Sequence, residues 1–260
     1  MKRGVYILPN GLTLCGMFFG FFSILASLNG DYVLAAWMIL VANIFDGLDG
    51  WVARLTNTAT RFGIELDSLS DLVAFGVAPS IMMFNWVFHP FGRLGAAVAF
   101  LYVSCGALRL ARYNVQMVST EKKYFTGMPI PGAATILSTL VIFWHSQWDK
   151  APAKNYGVLA LTAVLSILMI STLRFHGLKE LDMKSRKPFL FLVLMMVFLI
   201  VVFVHPPTVL FVFAFSYMLW GIVENLYMFY KHRKYGTASS EVLQQESSDK
   251  REIAKKKEVR

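Results

Sequence analysis

Four aspartates, Asp46, Asp49, Asp67 and Asp71, stand close together in the string DGLDGWVARLTNTATRFGIELDSLSD, in a chain that elsewhere keeps charge out of its long apolar runs. A carboxylate at membrane depth costs about 2.5–3.5 kcal/mol on insertion scales, so a group of four requires compensation, and bound metal is the compensation that fits. Carboxylates are the hard oxygen ligands that Mg²⁺, Mn²⁺ or Ca²⁺ prefer. Two such ions form the usual clamp for in-line displacement at phosphorus, because they stabilise the attacking and the leaving oxygen together. Three carboxylates suffice to hold and bridge the ions, which leaves a fourth able to take a proton from an incoming alcohol.

Helical spacing decides how these groups meet. Asp46 and Asp49 are i, i+3 and Asp67 and Asp71 are i, i+4, so each pair shares one helix face and two adjoining helices could enclose cations between them. Gly47, Gly50, Ala53 and Gly63 strip side-chain bulk from the neighbourhood of the acids. A flat ligand such as a nucleotide base, or another helix, could approach the backbone there. Arg54 continues that face and can neutralise a phosphate or pair with an acid.

The elements that must carry these residues are membrane spans. Of 260 residues, 56% are hydrophobic, against about 45–50% in an ordinary soluble domain. Uncharged stretches cover residues 4–30, 72–92, 124–148, 155–173 and 188–223, each long enough for at least one span of ~20 residues. Adding residues 32–55 and 94–113, and dividing the last stretch at His205-Pro206-Pro207, predicts an all-α polytopic bundle of about eight transmembrane helices. The loop 56–62 is short, so the second and third spans are antiparallel neighbours and the two aspartate pairs are brought together. The first apolar run follows a basic start but is too long for a signal h-region and ends without a small-x-small site, which predicts a retained helix. Before it, VYILPNGLT reads as a short interfacial segment in which Pro9, Asn10 and Gly11 favour a turn or helix start, with Asn10 as the cap. Further on, FTGMPIPGAA predicts a rigid re-entry into the fifth span.

The net charge of +9 gathers on one side of an eight-span arrangement: Lys2 and Arg3, Arg54 and Arg61, Arg109, Arg112, Lys122 and Lys123, residues 174–187, and the tail from Lys231. The positive-inside rule then places both termini and the aspartate-bearing helix ends at the cytoplasmic face of the cell's inner membrane. Nothing resembles a nucleic-acid module, so the basic balance points to anionic membrane lipid and not to nucleic acid. Cys15 and Cys105 sit singly in apolar runs and read as small core residues, and the five dispersed histidines give no zinc spacing. From Lys231 onward the sequence turns to Lys, Glu, Gln and Ser, the composition of a disordered tail or a loose surface helix.

The string quoted above matches D-x2-D-G-x2-A-R-x8-G-x3-D-x3-D at every defined position, through Asp46, Asp49, Gly50, Ala53, Arg54, Gly63, Asp67 and Asp71. It resembles the CDP-alcohol phosphotransferases, membrane enzymes of phospholipid synthesis. The resemblance implies a six-helix core, here within residues 1–175, an active site open to the cytoplasmic leaflet, and a homodimer. It also implies that Asp46, Asp49 and Asp67 ligate two divalent ions, Mg or Mn, while Asp71 acts as base and touches the second ion. Asn10, Thr13, Gly50, Ala53, Arg54 and Gly63 would then line the CDP-lipid site, with the cytidine on the small face of Gly50 and Ala53. Residues 176–230 would form a cytoplasmic loop and an additional helix pair, and residues 231–260 a charged cytoplasmic tail.

Three further strings, LPNGLTL, ALRLARYNV and FTGMPIPGAA, resemble the integral-membrane branch of phosphatidylserine synthases. That branch implies CDP-diacylglycerol and L-serine as substrates. Arg109 and Arg112, at i, i+3 on a cytoplasmic helix end, could bind the serine carboxylate or the lipid phosphate through guanidinium forks, or serve only as positive-inside anchors. On the residues alone, glycerol 3-phosphate, inositol or inositol phosphate remain alternative acceptors. A divalent-cation transporter is the alternative of another class, weakened because the acids gather near one membrane face.

Overall fold

The apolar runs fold as helices in a computed structural model that describes residues 7–56, 60–118, 127–148, 152, 154–173, 196 and 205–225. In chain order the helices are α1 (Ile7–Leu28), α2 (Tyr32–Leu55), α3 (Arg61–Phe91), α4 (Arg93–Val118), α5 (Ile130–Gln147), α6 (Tyr156–Ile170) and α7 (Pro206–Asn225). Every regular element among the described residues is helical, and five of the seven are long and apolar enough to cross a membrane. The protein is a polytopic helical bundle. The span expected within residues 188–204, residue 196 apart, the loop 174–187, the lysines 122 and 123 and the tail from 231 lie outside the described residues. The chain divides into two compact units, Met1–Tyr217 and Met218–Arg260, and the aspartates belong to the first.

Local chemistry explains the ends of the site helices. The first helix begins at Ile7, so Pro9 and Asn10 lie inside its opening turn. The expected helix start is therefore present, but Asn10 is inside the helix and not its cap: a proline in the first turn loses only an N–H that has no intrahelical partner anyway, so the helix starts before it. At α3, Thr60 is the cap, its Oγ1 accepting from the Gly63 N–H at 3.0 Å. At the expected re-entry the described part begins at Gly127, which takes φ +89°, and its N–H and that of Met128 donate to the carbonyls of Leu173 and Leu168 before α5 opens at Ile130.

The long α3 is not regular. It widens to π turns at Leu72–Val77 and Phe84–Phe88, each ending two residues before a proline, Pro79 and Pro90. A proline cannot donate and its ring presses on the carbonyl four residues back, so the ladder upstream shifts to i−5 bonds. Ala78 accordingly donates to Val73 and His89 to Phe84. The first π turn begins directly after Asp71.

Close helix approach fixes the frame around the acids. Helix α1 packs along α2 and against the first half of α3, α2 also packs on α5, and α4 packs on α6. At Gly20 a Cβ would stand 2.5 Å from the Ala74 Cα, so only glycine allows α1 and α3 to approach this closely. Asn43, one turn before Asp46, donates from Nδ2 to Thr135 Oγ1 at 2.9 Å and ties α2 to α5.

Candidate active site

The second half of α2 and the first part of α3 carry the two acid pairs, and their proximity in chain and space converges three of the acids on one point. One carboxylate oxygen from each of Asp46, Asp49 and Asp67 lies within 4.8 Å of the others. Asp71 joins them through Asp46, the two carboxyl groups standing within hydrogen-bonding reach. Carboxylates this close, in a setting poorer in water than bulk solvent, repel strongly unless a cation or protons lie among them. The donor set is all hard oxygen, which fits a divalent metal such as Mg²⁺ or Mn²⁺.

Hydrogen bonds from neighbouring helices orient the acids. The Thr13 hydroxyl on α1 reaches Asp49 Oδ2 at 2.5 Å while staying 3.1 Å from the Pro9 carbonyl, and both Thr13 and Asp49 are buried. Ser70 Oγ in turn donates to the Thr13 carbonyl at 3.0 Å, so α3 also holds the α1 residue that aims Asp49. Asn10 Oδ1 and Thr60 Oγ1 each stand 3.2 Å from where a Gly63 Cβ would be, which places the Asn10 side chain at the opening of α3. Around Gly47 and Gly50 the opposite holds: a Cβ at either would meet nothing within 4 Å. The surface beside the acids on α2 is therefore open and small, with Ala53 half-buried next along it and Arg54 exposed at the end of the helix.

The two arginines of α4 have different surroundings. Arg109 lies within electrostatic range of Asp71, and its Nε is buried with no hydrogen-bond acceptor among the described residues. Arg112 donates from Nη1 to the Ile170 carbonyl at 3.0 Å and from Nη2 to the Ser171 carbonyl at 3.4 Å, where it satisfies the C-terminal end of α6. Its guanidinium also packs at Gly127, whose missing Cβ would stand 2.9 Å from Nη2. Alike in spacing, the two arginines differ in partners: Arg112 has structural carbonyls.

Asn114 and Ser68 were not singled out from sequence. Asn114 Nδ2 donates to Ser68 Oγ at 2.9 Å and to Glu65 Oε2 at 3.3 Å, fastening α4 to the helix that carries Asp67 and Asp71. Their signal was present, since Asn114 stands in ALRLARYNV and Ser68 directly after Asp67, but neither residue type announces its partner.

Residues 6–173 match the family described as CDP-alcohol phosphatidyltransferase. The chain belongs to that family. Among its relatives, the CDP-diacylglycerol–serine O-phosphatidyltransferase of Helicobacter pylori strain 26695 is 37% identical over 227 residues, covering 87% of this chain and 94% of the relative. The protein of that name from strain J99 matches to the same extent. The archaetidylserine synthase of Methanothermobacter thermautotrophicus is 37% identical over 171 residues, 65% of this chain and 69% of its own length. Family membership makes the chain a membrane-embedded transferase of phospholipid synthesis.

Proposed function

We propose that the protein transfers the phosphatidyl group of CDP-diacylglycerol to the hydroxyl of L-serine, giving phosphatidylserine and CMP. The observation that carries this reading is the convergence of Asp46, Asp49 and Asp67, with Asp71 at their edge and the buried Arg109 guanidinium in range of Asp71. Relatives named for the serine reaction support the choice of acceptor.

In this reading Asp46, Asp49 and Asp67, with Asp71 beside them, would hold two divalent ions, Mg or Mn. When bound, such ions neutralise the pyrophosphate and stabilise the oxygen that leaves with CMP. The open surface at Gly47, Gly50 and Ala53 receives the cytidine, with Asn10, Thr13, Arg54 and Gly63 around the CDP-lipid. Asp71 accepts the proton of the serine hydroxyl. The freed oxygen attacks the lipid-linked phosphorus in line, the new P–O bond forms as the bond to CMP breaks, and the electron pair departs on CMP. Thr13 aims Asp49, and Arg109 binds the carboxylate of the acceptor, so the chain contributes mainly positioning and charge. The basic connections put both termini and the site at the cytoplasmic face of the inner membrane, with residues 1–175 as the transferase core and a homodimer as the assembly.

The test is direct. Protein purified in detergent is given CDP-diacylglycerol, Mg²⁺ or Mn²⁺, and in turn L-serine, glycerol 3-phosphate, inositol or inositol phosphate, and the lipid formed is identified by chromatography. Phosphatidylserine is expected from serine; a lipid formed only with another alcohol would move the assignment to that acceptor.

A further inference from the structure

Glycines on two different helices face one side chain. A Cβ at Gly106 on α4 would stand 2.5 Å from the Ile130 Cδ1 and 3.4 Å from its Cγ1, and a Cβ at Gly76, in the first π turn of α3, would stand 3.7 Å from the same Cδ1. Ile130 opens α5 and is fully buried. Its terminal methyl therefore takes the room that a side chain at Gly106 would need and lies against the π turn, on which α4 packs. Both glycines are close in sequence to acceptor-handling residues. Gly76 belongs to the turn that begins directly after Asp71, and Leu72, the first residue of that turn, leans into the same gap with Cδ1 3.0 Å from the Gly76 Cβ position. Gly106 lies about one helical turn before Arg109 on α4. The mount of the Ile130 side chain is stiff: Pro129 and Pro131 flank it, the N–H groups of Gly127 and Met128 tie the preceding backbone to the carbonyls of Leu173 and Leu168, and a β-branched residue in a helix has one strongly preferred χ1.

We propose that Ile130 is a positioning residue for the transfer, a wedge whose terminal methyl, set against Gly76 and Gly106, fixes the spacing between the helix that carries Asp71 and the helix that carries Arg109. The inference rests on the reading above, in which Asp71 takes the hydroxyl proton and Arg109 binds the carboxylate of one small acceptor, and it deepens that reading. Both groups can engage the same serine only at one separation of α3 and α4. A misplacement of about 1 Å can cost on the order of 10²-fold in rate, so a single methyl at this level is large enough to matter. Ile130 acts through these two helices and not on the substrate. The cluster of Asp46, Asp49 and Asp67 is built by α2 and the part of α3 before the π turn, so metal and CDP-lipid binding are independent of the wedge.

The experiment is a double-mutant cycle in detergent with Gly106→Ala, Ile130→Val and the two combined. Gly106→Ala adds a methyl where the Ile130 Cδ1 stands, and Ile130→Val removes that Cδ1, so the combination conserves the volume of the gap. Ordinary carbon–carbon contact is about 3.5–4.0 Å, so in Gly106→Ala the wedge or the helix must give by about 1 Å. Gly106→Ala is expected to lower kcat/KM for L-serine about 10- to 100-fold, with the KM for CDP-diacylglycerol and the Mg²⁺ concentration for half-maximal activity unchanged. Ile130→Val should lower it a few-fold, and the double variant should return to within about 3-fold of wild type. Losses that simply multiply in the double variant overturn the proposal. So does a lowered thermal midpoint with wild-type kinetics in the folded protein, which is what a merely structural contact would give. If Gly106→Ala does not fold, Ile130→Val and Ile130→Ala take its place: serine kcat/KM should fall further in the second at an unchanged KM for CDP-diacylglycerol, and equal kinetics in the two overturn the wedge. A wild type that makes no phosphatidylserine but uses another alcohol removes the serine reading, and the same cycle on that alcohol decides the wedge separately. A wild type that uses serine while the variants keep its kinetics removes the wedge alone.

Discussion

Thr13 on α1 and Asp49 on α2, separated by 36 positions in sequence, share a buried hydrogen bond of 2.5 Å from Thr13 Oγ1 to Asp49 Oδ2. The bond ties the Asp49 carboxyl of the acid cluster to α1. Replacing Thr13 by Val keeps the shape and removes the donor. A hydrogen bond to a charged acceptor is worth about 1.5–3 kcal/mol, so Thr13→Val should raise the metal concentration for half-maximal activity about 10-fold or more, while Thr13→Ser stays near wild type. Activity titrated against Mg²⁺ and Mn²⁺ measures it.

Asp71 stands at the edge of the triad and next to Asp46, where a base can serve the incoming alcohol without being a principal ligand. Asp71→Asn should lower turnover by about 10²–10⁴-fold, the usual contribution of a positioned base, while CDP-lipid binding persists. Equilibrium binding beside steady-state turnover separates the two, and lost binding with normal residual turnover would refute the role.

Two glycines of the site helices should respond oppositely. At Gly20 an added side chain meets the Ala74 backbone, so Gly20→Val should lower the thermal midpoint in detergent by the equivalent of about 1–3 kcal/mol or prevent folding. At Gly50 it meets nothing, so Gly50→Val should fold and instead raise the KM for CDP-diacylglycerol roughly 5- to 30-fold, the factor given by 1–2 kcal/mol of lost binding.

Arg112 gives its two terminal nitrogens to carbonyls at the end of α6. Arg112→Ala should therefore cost about 1.5–3 kcal/mol of stability, seen as a lower thermal midpoint, with the KM for serine unchanged in the protein that remains folded. A raised serine KM at unchanged stability would return Arg112 to the acceptor.

Much of this was legible in the chain because bilayer physics leaves little choice. Long uncharged runs must be helices, and the five-residue gap between α2 and α3, whose ends are residues 55 and 61, forces Asp46 and Asp49 to face Asp67 and Asp71. Helical spacing then shows which side chains share a face. What it cannot show is a partner on a distant helix. Arg109 and Arg112 look alike at i, i+3, and only the position of α6 gives one of them carbonyls and leaves the other with a buried, unanswered Nε. Likewise, Pro79 signalled irregularity without saying whether α3 would kink, break or widen into the π turn that follows Asp71. Asn10 misled in a simpler way: its type favours a cap, but the helix had already begun at Ile7.

The contact of Gly20 with Ala74 lies deeper along α1 and α3 than the level at which Thr13 and Ser70 meet, and it allows almost no separation of the two backbones. The pair is therefore built like tongs riveted below the jaws: any separation of these two helices is confined to their outer ends, where the acids stand, and the root stays shut.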